Sequence, residues 1–155
     1  MEDNNVNKVI DELVKKAQIA LEEFEDFDQE KIDYIVAKCS VAGLDNHGSL
    51  AMAAIEETKR GVFEDKATKN LFACEYVVNN MRHLKTVGVI KEDPVTGISE
   101  IACPIGVICG ITPVTNPTST VIFKSLICLK TRNPIIFSFH PSALECSKKA
   151  AIVIR

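Results

Sequence analysis

Apolar residues recur at helical spacing through the first half of the chain. Ile10, Leu13, Ala17, Leu21 and Phe24 fall on one face of a first helix, with Glu and Lys on the other. Asp28 is placed to cap a second helix, with Phe27 and Ile32 set as a hydrophobic staple. Ile32, Ile35, Val36 and Cys39 form its buried stripe, and Gly43 reads as its stop. A third helix is expected from Ser49 to Arg60, ended by Gly61. A fourth begins near Asp65, carries Leu71, Phe72, Tyr76 and Val78, and fades at His83. The period changes after Lys85. Thr86 to Ile90 and Ile98 to Ala102 read as strands split by the turn former Asp93-Pro94-Val95-Thr96-Gly97, a hairpin with a longer loop. A two-stranded ribbon is marginal in water, so this arm is expected to pair with another part of the protein or another subunit.

The second half changes character again. Ile105 to Ile111 is an apolar run too short for a buried helix. Asn116-Pro117 then opens a helix, Asn as N-cap and Pro at the first position, where its missing N–H costs nothing. Val121, Ile122, Ser125, Leu126 and Leu129 follow at helical spacing, leaving Lys124 and Lys130 to solvent. Asn133-Pro134 breaks the helix, and Ile135-Ile136-Phe137 begins a second strand. Strand, crossover helix and strand make a βαβ unit, whose strands are parallel. Ser142 and Glu145 have the spacing of a capping box for a last helix, which reaches Arg155 in mid-pattern and reads as part of a larger protein. The fold class is therefore α/β: N-terminal helices and a hairpin over residues 1–104, then the opening of a nucleotide-binding domain over 105–155. Open α/β sheets bind ligands at the carboxyl ends of their strands. Those ends are the loop Thr112-Pro113-Val114-Thr115-Asn116 and the tail Ser138-Phe139-His140-Pro141.

Composition narrows the choices. The 155 residues are 46% hydrophobic and 25% charged, as in ordinary globular proteins. The net charge of −3 is dispersed, so no basic footprint for nucleic acid exists. Apolar stretches break well before the ~20 residues of a membrane span, and the acidic, amphipathic start is no signal peptide. The six cysteines sit in apolar patterns without a C-x-x-C pair, which favours reduced thiols in the cytoplasm. Cys39, Cys74, Cys128 and Cys146 fit helical stripes and Cys109 an interior strand, all as inert packing; Cys103, beside Pro104, is open. Glycine-rich phosphate loops and metal-ligand spacings are absent from the sequence. His47 and His83 read as solvated polar residues. Asn116 has two compatible roles, since its amide oxygen can cap the helix while its NH₂ donates to a ligand. Thr112, Thr115, Thr118 and Ser119 are loop-forming hydroxyls or phosphate donors, and His140 is a turn residue or a cofactor contact.

Three segments carry a family resemblance: GVFEDKATKNLFACEYVVNNMRHLKTVGVI, EDPVTGISEIACPIGVICG and GITPVTNPTSTVIFKSLICLKTRNPIIFSFHPSA. From about Glu56 onward the chain resembles the N-terminal part of the acylating aldehyde dehydrogenase half of bacterial bifunctional aldehyde-alcohol dehydrogenases. The resemblance implies an aldehyde-dehydrogenase-type, Rossmann-like NAD-binding domain in truncated form. It implies a reaction in which a cysteine thiolate attacks acetaldehyde, hydride passes to NAD and coenzyme A resolves the thioester, with an iron-dependent alcohol dehydrogenase half elsewhere in the parent. It also implies a homo-oligomeric parent, with filaments among its forms. Ile111, Thr112, Pro113, Val114, Thr115 and Asn116 match the loop on the nicotinamide side, and Asn116 matches the oxyanion-holding asparagine. Ser138, Phe139, His140 and Pro141 match the region flanking the adenosine; the lysine that usually stands near there in non-acylating aldehyde dehydrogenases is missing, which leaves a ribose contact by His140 open. The nucleophilic cysteine is expected beyond Arg155, so the chain alone is expected to be inactive and marginally stable. A single-function acylating aldehyde dehydrogenase and a non-catalytic assembly module are the alternatives.

Overall fold

The computed structural model describes residues 2–155. Helix α1 spans Glu2–Glu25, α2 Gln29–Asp45, α3 His47–Thr58 and α4 Phe63–Leu71. A π-helical turn, Phe72–Tyr76, joins α4 to α5, Val77–Met81. Strands β1 (Gly88–Asp93) and β2 (Ile98–Ala102) pair antiparallel. Strands β3 (Ile108–Ile111) and β4 (Ile135–Ser138) pair parallel, with Ile108 opposite Ile135, and α6 (Pro117–Lys130) crosses between them. A 3₁₀ turn, Pro141–Ala143, leads into α7, Leu144–Ile154. The α/β class with its βαβ unit is as expected.

The core forms around α6, because its apolar residues fill more than one face. Val121, Ile122 and Leu126 are fully buried and join Ile32 and Val36 of α2, Leu50 of α3, Ala73 and Cys74 of the π turn, and Ala150 and Ile154 of α7. Asp28 caps α2 through a 2.8 Å bond from Lys31 N–H, as its position predicts. On α1 the expected stripe is covered only at its C-terminal end: Ala17 is buried, whereas Ile10 and Leu13 are exposed. The expected third helix ends on Lys59 in the left-handed region (φ 55°), before Gly61.

Four local expectations are corrected. Gly43 does not stop α2. It lies buried inside the helix, where a Cβ would come 2.6 Å from the Sγ of Cys74, so its bare Cα is what lets the π turn approach. The stripe Leu71, Phe72, Tyr76 and Val78 is not the buried face of the fourth helix: Phe72 and Tyr76 are exposed, and Lys66, Asn70, Ala73, Cys74 and Met81 are buried instead. A π turn takes an extra residue per turn and shifts the phase of a helical stripe; here Ser40 Oγ donates to the Cys74 carbonyl at 2.7 Å. The Ser142–Glu145 capping box does not form. The N–H groups of Glu145 and Cys146 donate to the carboxylate of Glu57 on α3, at 3.0 and 2.7 Å. Finally, Lys130 does not project to solvent; it is 2% exposed and its ammonium donates to Asp33 at 2.5 Å.

The α6–β4 turn anchors the hairpin. Arg132, at φ 58°, donates to the carbonyls of Glu25 and Ala102 at 3.2 and 3.1 Å. Asn133 Oδ1 accepts from the N–H groups of Ile105 and Gly106, and Gln29 Oε1 accepts from those of Thr86 and Val87. Those bonds use up the backbone donors at Thr86 and Val87, and β1 begins at Gly88, later than the alternation predicts. Beyond its root the ribbon is solvent-facing, with Val89, Ile90, Ile98 and Ile101 exposed.

Gly43→Ala is expected to lower stability by about 1–3 kcal/mol through overpacking against Cys74, measured by denaturant unfolding; a gain, as helix propensity alone would give, would refute this packing. Glu57→Ala is expected to cost about 1 kcal/mol near neutral pH, the value of a lost N-cap reduced by solvent screening. Partial burial pushes the Glu57 pKa up, but the hydrogen bonds from Cys146 and Glu145 outweigh it and hold the carboxyl below its ordinary value. A depressed carboxyl stabilises the fold above its unfolded pKa of about 4.3, and that contribution is lost as pH falls through the folded value. The gap between wild type and Glu57→Ala should therefore shrink on acidification.

Candidate active site

The carboxyl ends of β3 and β4 bring the two predicted loops side by side. Thr112 N–H donates to Ser138 O at 3.0 Å, tying the start of one loop to the end of the neighbouring strand. Thr112 is buried, Ile111, Pro113 and Thr115 are exposed, and Val114 is half-buried, packed against Ala54, Ala143 and Cys146. Ser138, His140 and Pro141 are exposed on the second loop. His140 Nδ1 accepts from Ser142 N–H at 3.1 Å, so the neutral ring carries its proton on Nε2, away from the turn.

Asn116 occupies the position before α6 (φ −136°, ψ 58°), but its side chain makes no capping bond. Its expected capping role is therefore not realised: Oδ1 instead accepts from Lys69 Nζ at 3.0 Å, leaving the NH₂ with only a long 3.5 Å contact to Thr115 Oγ1. The same helix α4 holds the flanking residues. Lys66 Nζ donates to Thr115 O at 2.9 Å; Thr118 Oγ1 donates to Asn70 Oδ1 at 2.9 Å, while Asn70 Nδ2 donates to His47 O. Lys66 and Asn70 are buried, and desolvation, then the like charge of Lys69, lowers the Lys66 pKa. Sequence reasoning missed Lys66, Lys69 and Asn70. Their i, i+3, i+4 spacing on one helix face was the available signal.

Beside Asn116 lies a cleft of about 300 Å³ lined by Lys69, Phe72, Ala73, Val77, Ser119, Thr120 and Phe123. Phe72, stacked on Tyr76 with centroids 5.4 Å apart, also borders a larger groove of about 970 Å³ along α5. The polar end of the cleft thus holds the Asn116 side chain and the Lys69 ammonium, with Ser119 and Thr120 beside them, and the rest of its wall is apolar.

No family model matches the chain. It is 66% identical over 152 residues to aldehyde-alcohol dehydrogenase 2 of Entamoeba histolytica, covering 97% of this chain and 18% of that protein. It is 72% identical over 148 residues to the aldehyde-alcohol dehydrogenase of Streptococcus pneumoniae serotype 4, covering 96% of this chain and 17% of that one. The chain is thus similar to one part of the aldehyde-alcohol dehydrogenases. It spans less than a fifth of the length of these two proteins. Its fold matches the crystal structure of an acetylating aldehyde dehydrogenase from Geobacillus thermoglucosidasius with a TM-score of 0.95 and 44% identity, over 99% of this chain and 34% of that one.

Against this aldehyde dehydrogenase framework the cysteines divide clearly. Burial pushes the thiols of Cys74 and Cys146 up to about 12, with Glu57 adding to the rise at Cys146. Burial also raises those of Cys39 and Cys128. Such groups stay protonated near neutrality and pack as small hydrophobes. Cys109 departs from its expected interior position: it is exposed, on the same open face of β3 as Ile111. Cys103 is exposed as well. Of the histidines, His83 is exposed, whereas His47 is half-buried and bonds through Nδ1 to Leu44 O. No helix among the described residues is long and apolar enough to cross a membrane, and no His, Cys, Asp and Glu cluster among them could hold a metal.

A thiol-reactive probe should label Cys103 and Cys109 in the folded chain and reach Cys74, Cys128 and Cys146 only on unfolding. Mass spectrometry of the labelled peptides checks this, and labelling of Cys74 at the rate of Cys103 would contradict it.

Proposed function

We propose that this chain supplies the cofactor-facing part of an NAD-dependent, coenzyme-A-acylating acetaldehyde dehydrogenase. The reaction interconverts acetaldehyde, coenzyme A and NAD with acetyl-CoA and NADH. Residues 1–104 form the helical region and hairpin arm, and 105–155 open the NAD-binding domain. The parent is a cytoplasmic bifunctional protein whose alcohol dehydrogenase half carries iron and makes ethanol; it assembles as a homo-oligomer that also forms filaments. The high identity to proteins named aldehyde-alcohol dehydrogenase supports the bifunctional reading. The exposed apolar residues of the hairpin support assembly through that arm.

The observation that carries the catalytic reading is the orientation of Asn116. With Oδ1 bound to Lys69, the NH₂ is left as a donor at the rim of the cleft. When a thiolate adds to an aldehyde, negative charge develops on the carbonyl oxygen, and a fixed amide donor there is worth about 10²–10³ in rate. The positive end of the α6 dipole adds to the same field. The attacking thiolate comes from outside the buried cysteines described above, whose raised pKa values suit packing rather than attack. Coenzyme A then takes the acyl group from that sulfur.

The residues at the strand ends suit NAD. Ile111, Thr112, Pro113, Val114, Thr115, Asn116, Ser138, His140 and Pro141 include no acidic side chain to repel the phosphates. When bound, NAD supplies the hydride acceptor. The loop Ile111–Asn116 would hold its nicotinamide side, and Ser138, with His140 through Nε2–H and Pro141, its adenosine side.

The test is a chimera in which this chain replaces the matching segment of the Streptococcus pneumoniae aldehyde-alcohol dehydrogenase. NADH formation from acetaldehyde and coenzyme A is expected, and Asn116→Ala in the chimera should lower kcat by about 10²–10³ with KM for NAD little changed. A folded chimera that reduces acetaldehyde to ethanol but forms no NADH from acetaldehyde and coenzyme A would overturn the reading. So would an unchanged kcat in Asn116→Ala.

A further inference from the structure

We propose that Lys69 is the positioning residue for Asn116: its ammonium fixes which end of the carboxamide faces the cleft. This inference rests on the oxyanion role given to Asn116 above. A carboxamide can present its oxygen or its nitrogen by rotating half a turn, and the two ends have opposite effects on a developing oxyanion. The NH₂ donates to it; the oxygen repels it. An ammonium has donors and no acceptor, so the atom that meets Lys69 Nζ at 3.0 Å is the amide oxygen, and the NH₂ points the other way.

Everything else about Asn116 is already held. Lys66 grips the Thr115 carbonyl on one side, Asn70 takes the Thr118 hydroxyl on the other, and Pro117 restricts the backbone between them. Lys66, Asn70 and Thr118 are buried, so this grip fixes the main chain. What it leaves free is the rotation of the Asn116 side chain. Lys69 comes from the same face of α4 and makes no ion pair among the described residues, so its charge is not spent on a surface carboxylate. It borders the same cleft as Asn116. A positive charge on the amide oxygen also polarises the N–H bonds toward stronger donation, the cooperative effect expected where hydrogen bonds run in series.

Two measurements decide the matter. In this chain, the Asn116 side-chain NH₂ signals in a ¹⁵N–¹H spectrum, assigned by their loss in Asn116→Ala, should shift and broaden in Lys69→Met and return in Lys69→Arg. Signals indifferent to Lys69→Met overturn the positioning. In the chimera, Lys69→Met should lower kcat roughly tenfold at unchanged KM for NAD, with Lys69→Arg restoring most of it. In the Asn116→Ala background the same substitution should then have no further effect. An equal loss in both backgrounds, or no loss in either, overturns the proposal. Silence of Asn116→Ala itself would instead remove the oxyanion role, and with it the catalytic consequence drawn here, while the amide spectrum still reports whether Lys69 sets the side chain. The two failures are therefore distinguishable.

Discussion

The structure depends on how the start of α6 is held. A helix N-terminus leaves backbone donors unsatisfied, and a cap residue usually supplies the acceptor. Here Asn116 stands in the capping position without capping, since its oxygen is taken by Lys69. The stretch from Thr115 to Thr118 is held from outside, by side chains of a helix nearly fifty residues earlier in the chain. That arrangement frees the amide NH₂, at the expense of a local bond that would have tied the side chain to its own helix. The β3–α6 loop thus owes its shape to α4 more than to its own sequence.

That grip works only if α4 presents the right face, and the π turn at Phe72–Tyr76 is where the face changes. Before it, Lys66 and Asn70 point to the loop; within it, Ala73 and Cys74 point into the core. The turn's geometry is supported by α2, where Ser40 donates to the Cys74 carbonyl and Gly43 leaves room for the Cys74 sulfur. A missing side chain on one helix therefore allows a phase shift on another, and the phase shift sets the cleft wall. π turns recur at functional sites for this reason: they re-aim side chains without ending the helix.

The same borrowing recurs at the other junctions. Glu57 of α3 receives the free N–H groups at the start of α7, and Gln29 of α2 receives those at the root of the hairpin. Lys130, at the end of α6, is buried against Asp33 of α2. Elements on either side of residue 104 are in this way stitched together by polar groups around one apolar cluster.

Element type and order were legible in the sequence, because period and turn chemistry are local. Asp28 capped where its position said, Asn133-Pro134 ended α6, and the two apolar runs paired in parallel as a crossover of that length requires. The adjacency of the two loops at the ends of β3 and β4 followed from the same topology, and the resemblance pointed to the proteins that the chain is similar to. Partners across the chain were not legible. Ser142 lost its capping role to Glu57, Asn116 lost its own to Lys69, Gly43 served close packing instead of termination, and Cys109 lay on an uncovered face. Each of these outcomes is a competition between a local partner and one brought near only by folding. Local pattern names the groups that need a partner; only the packed structure decides which partner arrives.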